Sequence, residues 1–136
     1  MTDIPDAAEL LDTARDALLA ELAPALSKEG RYTAAMIANA MAIATREARH
    51  GAEVASREAG VLRALLADVG SDAASGASLS ELREASRRAI RTGAFDDAAH
   101  AARITSALLR VAAGWVGVSN PKALRGAPND APPSAP

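Results

Sequence analysis

Apolar residues recur at helical spacing in four blocks along the chain. Leu11, Ala14, Leu18, Leu22 and Ala25 form the first line, with Leu10 and Leu26 alongside. Asp6-Ala-Ala-Glu9 follows Pro5 and has the form of a capping box, so the first helix is expected to start at Asp6. Pro24 is expected to kink or end it near Ala23, because proline lacks the amide hydrogen and its ring crowds the preceding turn. A long helical pattern then runs from about Arg31 to Val69. Ten of the eleven residues from Ala34 to Ala44 are apolar, which predicts a buried axis there. Further along, Val54, Val61, Leu62, Leu65, Leu66 and Val69 make an inward face. Gly51 is the weak point, since glycine costs about 1 kcal/mol relative to alanine inside a helix.

Residues 70–78 are small, polar and loop-like. Ser78-Leu-Ser-Glu81 is a second capping box, opening a short helix that Gly93 closes. The last helix begins near Asp96. Its stripe of Ile104, Leu108, Val111, Trp115 and Val118 is the cleanest in the chain, and Asn120-Pro121 stops it. The pattern predicts an all-α antiparallel four-helix bundle, or five helices if Gly51 breaks the second. Residues 1–125 form one domain. Residues 126–136 carry four of the seven prolines and are expected to be a disordered tail.

Composition narrows the class. Of 136 residues, 49% are apolar, alanine is the commonest, and Phe95, Tyr32 and Trp115 are the only aromatics. So few aromatic residues argue against a sandwich or barrel. The formal net charge is −2 and the pI about 5.7, which, with almost no aromatics to stack bases, argues against nucleic acid. No apolar run approaches the ~20 residues of a membrane span. The N-terminus is acidic (Asp3, Asp6, Glu9, Asp12) and does not read as a signal peptide, so the expected location is the cytoplasm. The absence of cysteine excludes disulfides and thiolate chemistry.

Candidate chemistry is sparse. Glu47-Ala-Arg-His50 is a Glu-x-x-His, and Asp97-Ala-Ala-His100 is its Asp counterpart. Carboxylate dimetal bundles use two such pairs with two further glutamates. Here Arg46 and Arg49 add positive charge, His50 abuts Gly51, and the first and third helices lack a glutamate within an apolar stripe. Polar residues at bundle ends are the favoured reading, so no metal, cofactor or catalytic set is expected. Asn39, the strongly polar side chain in the apolar run, is expected to be buried and to satisfy a neighbouring backbone. Arg83, Arg87 and Arg91 line one face of the third helix with Arg88 beside them. They could meet a phosphate, a CoA tail or an acidic surface, though a solvated face paired with Glu84 or the acidic first helix is the plainer reading.

Together these segments resemble a family of small helical proteins. The resemblance runs from Asp6 to about Leu124. It rests on Ala8-Glu9-Leu10-Leu11, on Arg31-Tyr32 with Ala38-Asn39-Ala40-Met41-Ala42-Ile43 and Arg46-Glu47, and on Val118-Ser119-Asn120-Pro121-Lys122. Such proteins are typically encoded beside aminoglycoside-phosphotransferase-like kinases and acyl-CoA dehydrogenases, and the small kinase-partner protein of bacterial levulinate catabolism is similar. The resemblance implies a non-catalytic accessory subunit of such a kinase acting on a hydroxyacyl-CoA or related hydroxy acid. Acyl-CoA dehydrogenase pathway proteins are further partners by implication. Arg31, Tyr32, Asn39, Arg46, Arg83, Arg87, Arg91, Trp115, Asn120 and Pro121 are the structural or interface candidates. Thr33, Ala35 and Thr45 stand where the family more often carries a polar or charged residue. The alternatives are a dimetal bundle enzyme on Glu47, His50, Asp97 and His100, or a self-associating helical protein.

Overall fold

The computed structural model describes residues 4–71 and 76–125. Helix α1 (Ala7–Ala17), α2 (Lys28–Asp68), α3 (Leu79–Arg91), α4 (Ala98–Ser119) and the short α5 (Pro121–Arg125) follow in order, with no strand among the described residues. The expected tail, 126–136, lies outside them.

Local chemistry explains each boundary. Both capping boxes form: the Asp6 side chain accepts from the Glu9 amide while Glu9 reaches back, and Ser78 and Glu81 do the same. Beyond α1 the helical path widens into a π turn at Leu18–Leu22 and tightens into a 3-10 turn at Ala23–Ala25. Pro24 accounts for the change, because it cannot donate the bond that would continue the α-helix. Ser27 then caps α2 by accepting from Gly30 at 3.1 Å. At their other ends α2 and α3 close alike. Gly70 (φ +68) and Gly93 (φ +79) adopt the left-handed conformation, and the next amide reaches back to Leu66 and Ala89 respectively, at 2.9 and 3.0 Å. This is the Schellman closure that glycine permits.

Helix α2 runs unbroken through Gly51, for 41 residues or about 60 Å at 1.5 Å per residue. Gly51 is buried, and a Cβ there would meet only Glu47 Cγ, at 3.2 Å. The surrounding helix therefore tolerates the weak position. Helices α1, α3 and α4 each pack on α2, and among the described residues no two of those three bring their backbones close together, so the four principal helices are arranged around a spine. The N-terminal half of α2 is covered by α1 and the two turns after it. Its C-terminal half is covered by α3 and α4. An Asp12–Arg49 pair at 2.8 Å ties α1 to α2.

The main core sits on the C-terminal half of α2. Leu62, Leu65 and Leu66 meet Leu82 from α3, Phe95 from the α3–α4 connection and Ala107 from α4. Three expectations of burial fail because coverage is one-sided. In α1 the inward line is Ala8, Leu11, Arg15 and Leu18, whereas Leu10 and Leu22 are exposed. On the N-terminal half of α2 only Ala34, Ala38 and Thr45 are buried, and Met36 and Ile37 face out. On α4 Ala107 is buried while Leu108 is exposed.

Candidate functional site

Glu58 is the buried carboxylate among the described residues, at 6% exposure. It follows Val54 by one helical turn and precedes Leu62 by another, so it interrupts the apolar face of α2. Arg83 of α3 forks onto it, its Nε and Nη2 each donating at 2.7 Å, and Trp115 Nε1 of α4 donates to Oε2 at 2.7 Å. Three helices thus converge on one carboxylate. The Arg83 hydrogen bonds hold the Glu58 carboxyl below its ordinary range, against the opposing effect of burial. The Arg83 guanidinium is correspondingly raised. An anion this fully hydrogen-bonded is a structural tie. Arg83 and Trp115 stood out in the sequence; Glu58 did not. The signal available was a carboxylate within an apolar stripe.

The dimetal pairs do not meet. Glu47 and His50 are exposed on the middle of α2. Asp97 is the N-cap of α4, where it accepts from the His100 amide and pairs with the His100 ring. These bonds, the side-chain one foremost, keep the Asp97 carboxyl below its ordinary value. The His100 ring lies edge-on to Phe95. Arg103 reaches Asp68, which places the start of α4 eighteen residues along α2 from His50, about 27 Å at 1.5 Å per residue. No group of three or more ligating side chains that could hold a metal is found among the described residues.

The other candidates divide between ties and open surface. Arg46 Nε donates to the Val118 carbonyl at 2.6 Å and its Nη2 to that of Ser119 at 3.4 Å, which closes the free carbonyls at the C-terminus of α4. Asn120 ends α4, donating to Val116 at 2.7 Å, and Pro121 starts α5, where it needs no amide hydrogen. Arg87 pairs with Glu84 at 3.0 Å, and Arg91 is exposed. Of the arginine row, only Arg83 is drawn into the structure.

Asn39 is exposed, contrary to the expectation of burial. The run of apolar residues around it made burial plausible, but α1 covers only the opposite side of α2. Tyr32, Met36, Asn39, Ala40 and Ile43 share a face by their three- and four-residue steps. Tyr32 is 70% exposed and Met36 58%. On the C-terminal half the same face continues as Val54, Val61 and Leu65, where α4 lies, and Gly114 approaches Val54 closely. Helix α4 ends level with Arg46, and beyond that point no other helix among the described residues covers the face, on which Ile43 is half-buried and Tyr32, Met36, Asn39 and Ala40 are exposed.

A second surface is an open groove of about 1000 Å³ along α2 and α4. Its floor includes Val54, Val61, Leu65 and Val111, and Arg57, Arg103 and Arg110 stand on its rim.

The fold and these surfaces define an all-α protein built on one long helix, with a buried ionic tie and two apolar surfaces left open. The chain belongs to the family described as Domain of unknown function (DUF6285), whose profile matches residues 24–123 and so takes in α2, α3 and α4. No curated protein and no solved structure matches the chain. Among the described residues, no helix is long and apolar enough to cross a membrane.

Proposed function

We propose that the chain is a non-catalytic accessory subunit of an aminoglycoside-phosphotransferase-like kinase that acts on a hydroxyacyl-CoA or related hydroxy acid. One observation carries this reading. The segment that supplies the family resemblance brings Tyr32, Asn39 and Ala40 to an exposed face of α2 that Met36 shares, while Ala38 is buried and Met41, Ala42 and Ile43 are half-buried. Contiguous exposed apolar surface of this kind marks a protein interface, and tyrosine and methionine are enriched in such contacts. Asn39 at the middle of that face supplies a hydrogen-bonding group for register on a partner. The buried carboxylate, Glu58, is already committed to Arg83 and Trp115. These features suit a subunit that holds or completes a larger enzyme.

The test is to express the chain together with a phosphotransferase-like kinase from the same genome, with a tag on one of them. The reading predicts that both emerge together as a complex of fixed stoichiometry. A kinase that is soluble, fully active and unassociated without this chain overturns it.

A further inference from the structure

Helices α2 and α4 run antiparallel. Arg103 meets Asp68 at one end of their contact, Gly114 lies against Val54 further along, and Val118 meets Arg46 at the other end. This register orders the charges of the groove between them. Arg57 stands about one turn from Val54, and Arg110 about one turn from Gly114, both in the direction of the Arg103–Asp68 pair. The two arginines therefore flank the groove at the same level, one on each wall.

From that level to Asp68 the groove follows α2 for about 16 Å at 1.5 Å per residue. Val61, Leu65 and Ala107 form the floor of this stretch, and Ala64, Ser106 and Ala102 its sides. No lining residue there is charged until the Arg103–Asp68 pair, which closes the far end and is neutral as a unit. The groove is thus cationic at one end and apolar along its length. Glu58 also reaches it at the arginine level, but that carboxylate is taken up by Arg83 and Trp115. Arg57 pairs only with Glu53, and both are largely exposed, so the pair is weak and open to exchange. Arg110 has no acidic partner among the described residues.

We propose that this groove binds an anionic amphiphile, a fatty carboxylate of medium chain length. Its head lies between Arg57 and Arg110, and its chain runs along Val61 and Leu65 toward the Arg103–Asp68 pair. Charge and shape both select this occupant. A helix with acidic flanks needs cations along both rims, whereas here the uncompensated ones stand together at one end. The volume of about 1000 Å³ falls at the upper end of the range for small-molecule sites. The site shares no residue with the Tyr32–Ile43 face, so the proposal stands independently of the kinase reading.

Isothermal titration of the full chain with octanoate, decanoate and dodecanoate, each below its micelle-forming concentration, tests the site. The expected result is one equivalent bound, with each added methylene tightening binding about twofold, as for a chain half-buried in an open groove. Arg57→Ala combined with Arg110→Ala should weaken decanoate at least about tenfold and leave decan-1-ol unchanged. Ser106→Trp, which fills the groove from an exposed position, should abolish binding of both ligands at unchanged helicity. Failure of all three carboxylates to bind overturns the proposal, as does binding that neither variant alters. Decyltrimethylammonium bound as tightly as decanoate overturns it too, because the arginines then select nothing. Attachment to phosphatidylglycerol vesicles without binding of free carboxylate also overturns it, and assigns the groove to a membrane surface.

Discussion

Glu58→Gln keeps the shape of the side chain and removes its charge. In the wild-type chain the carboxylate accepts three hydrogen bonds of 2.7 Å, two from Arg83 and one from Trp115. Glutamine has one acceptor oxygen, so in either orientation its amide nitrogen faces a donor. A net hydrogen bond to a charged group is worth about 1.5–3 kcal/mol, and removing one partner of a buried pair costs about 3–5 kcal/mol. The Arg83 side chain is 42% exposed, so water takes up part of its charge. The expected loss is therefore about 2–4 kcal/mol. At this chain length that lowers the thermal midpoint by roughly 10 °C, read by circular dichroism.

The same variant carries a pH signature. Arg83 holds the Glu58 carboxyl below its ordinary range, so the folded state binds fewer protons than the unfolded state. The stabilisation is complete above the unfolded carboxyl value of about 4.3 and is lost as the pH falls through the lower folded value. The gap between wild type and Glu58→Gln should be widest near neutrality and shrink below about pH 4. A variant that melts with the wild type at neutral pH, or a gap that persists unchanged in acid, refutes the assignment of Glu58 as an ionised three-helix tie.

Three further substitutions separate ties from open surface. Thr45 is 3% exposed and its hydroxyl has no hydrogen-bond partner among the described residues, so the near-isosteric Thr45→Val should raise stability by about 1 kcal/mol in a denaturant melt; a loss would show that the hydroxyl is satisfied. Asn39→Leu should leave the stability of the free chain within about 0.5 kcal/mol, because the side chain is already in water, and it should weaken kinase binding. Arg46→Met should destabilise by about 1–2 kcal/mol, since it frees the Val118 and Ser119 carbonyls, and hydrogen exchange should rise first in the last turn of α4.

Local chemistry made the helices legible. The Asp6/Glu9 and Ser78/Glu81 boxes, the left-handed Gly93 and the Asn120-Pro121 stop are short-range signals, and each forms where its residues stand. Which face of a helix is covered is not a local property. The run from Ala34 to Ala44 is apolar almost throughout, but a single short helix packs against it, so Asn39 and Met36 remain in water. The tie at Glu58 was illegible for a related reason. Its partners lie 25 and 57 residues away, and the Arg46 closure of α4 spans 72. Arg83 read as one member of an exposed row until α2 placed a carboxylate under it. The dimetal spacing was met twice in the sequence, but the run of α4 along α2 holds the two pairs apart.

The proposed subunit holds or completes a phosphotransferase-like kinase through the exposed face of α2 around Tyr32 and Met36. Titrating the purified kinase with the chain while following phosphoryl transfer to a hydroxyacyl-CoA tests it most directly. The account predicts that activity rises to a plateau at a fixed molar ratio, and that Met36→Glu, which places a charge in the exposed stripe without touching the core, shifts the midpoint at least about tenfold. Kinase activity that is the same with and without the chain contradicts the account.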